Sequence, residues 1–139
     1  MKYLLDTNVI SELIKKNPHQ KVLHWIDERD ESALFLSVIT FGELQKGISK
    51  LDDKDRATRL QAWIDNDLTA RFEGRILPLD LDVMLAWGQL LGNSEKNGVV
   101  LPLMDSLIAS TALAHNLTVI TRNVKDIERC QAPVYNPWD

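Results

Sequence analysis

Three acids and an amide stand at positions where they could do chemistry. Asp6 follows the apolar run Tyr3-Leu4-Leu5, and Glu43 opens a helical stretch after a second apolar run. Asp105 lies inside the segment LPLMDSLIASTALA, and Asn123 follows the run Leu117 to Thr121. Taken singly, most have a plain structural reading. Asp6 caps a helix beginning near Val9, Glu43 complements the dipole of a helix from about Phe41, and Asn123 is a turn residue. Asp105 resists such a reading. Its segment is apolar or small on every side, which predicts a buried helix, and no Lys or Arg lies within a helical turn of it. A carboxylate there is costly unless it caps, pairs or binds a cation. Oxygen donors with no His or Cys among them select a hard cation, Mg²⁺ or Mn²⁺. Gly47, one turn beyond Glu43, leaves room for close approach to that carboxylate.

The elements that must position these groups follow from periodicity. Strands are expected at Tyr3 to Leu5, Ala33 to Val38, Ile76 to Leu79 and Leu117 to Thr121, with a last short one at Val134-Tyr135. Helical patterns begin at about Val9, cover Lys21 to Glu28, and restart near Phe41, with Phe41, Leu44, Ile48 and Leu51 recurring on one face. A longer amphipathic helix runs from Asp53 to Phe72, carrying Leu60, Trp63, Ile64 and Leu68, and two more cover Asp82 to Lys96 and Pro102 to His115. Strands alternating with helices predict an α/β fold, a parallel sheet with helices on both faces. Such sheets bind ligands outside the carboxyl ends of their strands, and the four polar groups fall at that edge.

The bulk composition agrees. The 139 residues form one domain, 1–139, with no repeat, linker or low-complexity tract, and 45% hydrophobic residues suffice for a core. A single cysteine, Cys130, excludes an internal disulfide, and no Cys/His spacing resembles a zinc site. The opening MKYLLDTN is too short an apolar run for a signal peptide or a membrane span, so the expected location is cytoplasmic. A net charge of −4 argues against a module that holds nucleic acid by bulk positive charge. It leaves room for an enzyme whose metal and local basic rim supply the attraction. Arg122, Lys125, Lys46 and Lys50 are the candidate rim, although singly each also reads as a solvated cation. His19, His24 and His115 lack ligand spacing and read as surface residues, and Trp25, Trp63 and Trp87 read as packing positions.

The stretches LLDTNVISEL, ITFGEL, LPLMDSLIASTAL and VITRN, with the tail Asn136-Pro137-Trp138, resemble the PIN-domain family. Within it the likeness is to VapC-type toxins of type II toxin–antitoxin pairs, especially the FitB-like branch, and it covers nearly the whole chain in order. The resemblance implies a three-layer PIN-like fold with a central parallel sheet and a Mg²⁺-dependent endoribonuclease, with Mn²⁺ able to substitute. It also implies a homodimer, a heterotetramer or larger assembly with a small VapB-like antitoxin, and operator DNA bound through the antitoxin. The family's three acids fall on Asp6, Glu43 and Asp105 and its fourth acidic position on Asn123, where an amide brings oxygen without charge; Asp126, three residues on, could compensate.

In that chemistry Asp6 and Asp105 are the main metal ligands. Glu43 ligates directly or through water and orients or deprotonates the attacking water. Asn123 contacts the ion through water or serves a second one, and Thr7 orients the first carboxylate through its hydroxyl. An antitoxin arginine is expected in the acidic pocket, because its planar guanidinium binds carboxylates bidentately. The helices around Val22 to Ile26 and Leu60 to Leu68 are expected to flank a groove for the rest of that partner. The alternatives are a housekeeping PIN nuclease in RNA processing and a non-catalytic interaction module whose acids only cap helices. Asp6-Thr7-Asn8-Val9 also approaches the D-x-D-x-[TV] motif of phosphoaspartyl phosphatases, but Asn8 replaces their general acid. A receiver domain would want an adjacent acidic pair and a late Lys, and neither is evident.

Overall fold

The computed structural model describes residues 1–139. Its sheet is built from β1 (Tyr3–Leu5), β2 (Leu34–Ser37), β3 (Ile76–Leu77), β4 (Thr118–Ile120) and β5 (Val134–Tyr135), in the order β3-β2-β1-β4-β5. Every neighbouring pair is parallel, with Tyr3 opposite Leu34 on one side and Thr118 on the other. Leu4, Leu5, Leu34, Leu36, Val119 and Ile120 are fully buried, as expected of strands covered on both faces. Successive side chains point to opposite faces, so Leu4 enters one core cluster and Leu5 the other. The cluster around Leu4 includes Leu107, Ile108, Ala112 and Ile127, while that around Leu5 includes Val9, Ile10, Val22, Ile26, Leu68 and Phe72.

The helices begin where short polar residues stop the strands. Asp6 caps α1 (Thr7–Leu13) directly after β1, and the helix starts two residues before its expected position. After α2 (Gln20–Asp27) and a 3₁₀ turn at Glu31–Ala33, Ser37 ends β2 and caps α3 (Val38–Ser49), accepting from the Ile39 N–H at 3.0 Å. α3 therefore begins three residues ahead of Phe41, which moves Glu43 out of the first turn. The path expected over Asp53 to Phe72 is followed, but not as one α-helix. α4 (Lys54–Ala62) widens into a π segment, Trp63–Leu68, and closes with α5 (Thr69–Arg71). Ile64 and Leu68 of this wider turn are buried, Leu68 in the same core cluster as fully buried Phe72.

Strand β3 is shorter than expected, because Pro78 has no N–H to continue the ladder. α6 (Leu81–Lys96) and α7 (Leu103–His115) pack together on the other face. Asn116, at φ 57° and ψ 47°, stops α7 in the left-handed conformation that Asn tolerates better than most residues. The Leu117 N–H then donates to the Ala112 carbonyl at 2.8 Å and turns the chain into β4. A short helix unmarked by periodicity, α8 (Val124–Glu128), follows β4; five residues are too few to show a hydrophobic face. No helix is long and apolar enough to cross a membrane.

Ser37 is a direct test of how β2 hands over to the helix carrying Glu43. Ser37→Ala removes a buried cap and is expected to cost about 1–2 kcal/mol, read as a lower urea midpoint at unchanged m-value. An unchanged midpoint would mean that the cap does not set the start of α3.

Candidate active site

Chain order along the sheet reverses at β1, with β2 on one side and β4 on the other. That reversal opens a crevice beyond the carboxyl ends of the strands. A cavity of about 390 Å³ lies there, and Asp6, Glu43, Asp105 and Asn123 all line it. The four groups come from the end of β1, the second turn of α3, the first turn of α7 and the start of α8. Residues separated by up to 117 positions thus meet only through the fold.

Asp6 is only 8% exposed. Its Oδ1 accepts from the Thr7 N–H and its Oδ2 from the Thr121 hydroxyl, both at 2.8 Å. Burial pushes the carboxyl above its ordinary range, those two hydrogen bonds pull it back, and the charges of Glu43 and Asp105 raise it again. Thr121 is the hub of this corner. Besides donating to Asp6, its oxygen accepts from the Asn8 side-chain amide and the Asn123 N–H, each at 3.0 Å.

The expected part for Thr7 needs correcting. Its hydroxyl donates to Glu43 Oε1 at 2.5 Å and lies 3.0 Å from the Thr40 hydroxyl, while only its backbone N–H reaches Asp6. Thr121 takes the orienting part assigned to Thr7. Glu43, half-buried in the second turn of α3, is too far from the helix end for a dipole reading. The space beside it is open as expected, for a Cβ added at Gly47 would meet nothing within 4 Å.

Asp105 is half-buried rather than sealed in. The buried run of α7 is Ser106 to Ala112, and Leu103 and Met104 are exposed. It makes no hydrogen bond and no ion pair within 4.0 Å. Its carboxyl is pushed upward by burial first and then by Asp126 and Glu43, against the partial relief of Arg129. Asp126 itself pairs with Arg129 at 3.3 Å. Asn123 occupies the N-cap position of α8 without using its side chain to cap, which leaves the amide free toward the cavity it lines.

Several cavity residues were missed. Asn8, Ser11, Glu12 and Lys15 all line it, and their i, i+3, i+4, i+7 spacing is a polar helical stripe that was visible in the sequence. Glu12 is 5% exposed; the Lys15 ammonium at 3.0 Å, and then the His19 N–H and Trp138, hold its carboxyl below the ordinary range against its burial. Trp138 also lines the cavity, with the Arg122 guanidinium 5.1 Å from its ring centre.

Of the expected basic rim, Arg122 lines the acidic cavity, and Lys46 and Lys50 line an adjoining cleft with Glu43 and Met104. Lys125 does not line the acidic cavity but a separate cleft with Glu128 and Arg129. Val22 and Ile26 are core residues and offer no groove. Leu60, Trp63 and Ile64 do, lining a cleft with Ile14 and Leu44 that reaches Thr7 and Glu43. The three histidines are exposed and Trp25 and Trp87 pack, the latter donating to Ser106 Oγ at 3.1 Å.

No three His, Cys, Asp or Glu side chains converge closely enough to enclose an ion by themselves. Mg²⁺ does not require it: it keeps several waters and takes one or two carboxylates together with substrate phosphates. The carboxylates of Asp6, Asp105 and Glu43 and the amide oxygen of Asn123, lining one cavity, are a donor set of that kind.

The raised carboxyls make a pH prediction. Since Asp105 ionises less readily in the folded chain, its ionisation opposes folding, and that contribution worsens as the pH rises from the ordinary carboxylate range through the raised folded value. Asp105→Asn, which loses no hydrogen bond, should therefore gain on wild type over that window in EDTA. Thermal melts should show it a few degrees more stable at neutral pH. A variant melting below wild type there would contradict the assigned repulsion.

The PIN domain model matches residues 3–130. The chain is 38% identical over 136 residues to "VapC ribonuclease Y4jK" of Sinorhizobium fredii, covering 98% of this chain and 97% of that one. It is 35% identical over 135 residues to "Toxin FitB" of Neisseria gonorrhoeae, covering 97% of each. Among solved structures, FitAcB from Neisseria gonorrhoeae superposes with a TM-score of 0.91 at 34% identity over 98% of both chains. The parallel sheet, the place of the cavity at its carboxyl edge and these matches agree: the chain belongs to the PIN domain family.

Proposed function

We propose that the chain, as a single PIN domain over residues 1–139, is a Mg²⁺-dependent endoribonuclease acting as the toxin of a type II toxin–antitoxin pair. The observation that carries the reading is the crowding of Asp6, Glu43 and Asp105 on one cavity. Asp6 is pushed up by burial and by the charges of Glu43 and Asp105, and Asp105 by burial and by Asp126 and Glu43. Relatives named ribonuclease and toxin support the substrate and the biological setting.

Asp6 and Asp105 would hold the ion, with Glu43 joining directly or through water. Bound there, Mg²⁺ would neutralise the phosphate and acidify a coordinated water. The residues of the chain do the positioning. Thr121 and the Thr7 N–H fix both oxygens of Asp6, and the Thr7 hydroxyl holds Glu43 Oε1. Glu43 Oε2 makes no hydrogen bond and is left to orient the attacking water or accept its proton. Asn123 contributes oxygen without charge, through water or to a second ion, and Mn²⁺ is expected to substitute.

The partner is a small antitoxin that places an arginine among these acids and an apolar segment in the cleft of Leu60, Trp63 and Ile64. The toxin acts in the cytoplasm as a homodimer, a reading supported by the exposed Leu81, Leu85, Val100, Leu103 and Met104 of α6, α7 and the loop between them. With the antitoxin it forms a heterotetramer or larger complex that binds operator DNA through the antitoxin.

Purified protein should cleave single-stranded RNA in Mg²⁺ or Mn²⁺ and stop in EDTA, and Asp6→Asn or Asp105→Asn should each lower kcat by roughly 10²-fold or more while the fold survives. Equal cleavage in excess chelator would remove the metal mechanism. Expression of the chain alone should arrest growth, and co-expression of the neighbouring short gene should restore it. Harmless expression of a protein that still cuts RNA would favour the housekeeping nuclease instead.

A further inference from the structure

Glu12 is the one acid of the cavity that the proposed chemistry does not use. Its side chain is 6% exposed, and both carboxylate oxygens are already taken, Oε1 by the Lys15 ammonium and Oε2 by the His19 N–H, each at 3.0 Å. An acid already matched by an ammonium is poorly placed to answer an ion, unlike Asp6, whose donors are neutral, and Asp105, which has no partner. What the burial of Glu12 achieves is the fixing of Lys15. The Lys15 backbone is held as well, its N–H donating to the Glu12 carbonyl at 3.2 Å just past the end of α1.

Lys15 is held but not consumed. Its side chain is 56% exposed, and an ammonium has three donors, of which Glu12 takes one. It lines the same cavity as Asp6, Glu43 and Asp105. Arg122 lines it too, its guanidinium against the ring of Trp138. A chain of net charge −4 that must receive a polyanion at a wall of carboxylates needs local cations, and these two are the ones inside the cavity.

Resting on the ribonuclease reading above, we propose that Lys15 is a substrate-binding residue that grips an RNA phosphate next to the one cleaved, and that buried Glu12 is the positioning residue that aims it. An ordinary solvated i,i+3 ion pair would contribute little and would not touch substrate. A phosphate grip of this kind binds ground and transition state alike, so it sets KM and not kcat.

The test uses the full chain and a short fluorescent single-stranded RNA. Lys15→Ala should raise KM about five- to tenfold with kcat within about twofold, and should reduce the slope of log affinity against log salt by about 0.7, the share of one phosphate contact on a single strand. Lys15→Arg should restore most of the affinity. Glu12→Gln should raise KM in the same direction, yet add less than about twofold in the Lys15→Ala background, because the two act as a unit. Unchanged KM and salt slope in Lys15→Ala would overturn the proposal, as would full additivity of the two changes. Anisotropy of the same RNA in EDTA reads the grip without cleavage. Weaker binding by Lys15→Ala there upholds the grip even if wild type fails to cut, which would sink the ribonuclease reading alone; unchanged binding sinks the grip whatever the cleavage result.

Discussion

Like charges gathered beyond the carboxyl end of β1 are the constraint around which the rest is arranged. Asp6 is nearly buried and feels both Glu43 and Asp105, and Asp105 in turn feels Glu43 and Asp126. A fold that stabilised only itself would separate these groups or pair them with cations. Here Asp6 sits where β1 hands over to α1, Asp105 in the first turn of α7 and Glu43 one turn into α3. The parallel sheet with its reversal of order at β1 brings these segments to one crevice. The tight stop of α7 at Asn116 and the buried Ser37 cap serve the same arrangement, since each sets where an acid-bearing or hydroxyl-bearing segment begins.

The acids are held by hydroxyls and amides instead of by positive charge. Thr121 ties Asp6 to Asn8 and to the backbone of Asn123, and Thr7 ties Glu43 to Thr40. Neutral donors orient a carboxylate while cancelling little of its charge, so the negative potential of the cavity survives for a cation to answer. Glu12 shows the contrast within the same pocket. It is matched by a lysine and held below its ordinary range, and each of its oxygens already accepts a hydrogen bond. Two kinds of acid thus share one cavity, and their hydrogen-bond partners separate them better than their burial does.

Much of this was legible in the residues. The apolar runs marked every strand, and Asp6, Glu43, Asp105 and Asn123 were found because each lies at the carboxyl edge that a parallel sheet uses for binding. The parts that escaped share physical causes. Thr121 and Thr40 carry no charge, and their importance comes from contacts 115 and 33 positions away in the chain. Thr7 was recognised, but its hydroxyl had a choice between two carboxylates that only the approach of α3 decides. The burial around Asp105 was overestimated because composition cannot tell which end of an apolar helix faces solvent. Glu12 and Lys15 lie on a stripe readable at helical spacing, but at the far end of α1 from the strand edge that marks Asp6. The π segment at Trp63–Leu68 left no trace in a periodicity that suits an unbroken α-helix equally well.

The claim on which all of this turns is that the uncompensated acids hold a divalent ion. Electron paramagnetic resonance of free Mn²⁺, titrated with the metal-free protein, measures that binding without any substrate or cleavage. Free-ion signal should be lost saturably on adding wild type, and Asp105→Asn should leave most of it. Equal loss of signal with wild type and with Asp6→Asn, Asp105→Asn doubly substituted protein, or no loss with wild type at millimolar ion, would contradict the account.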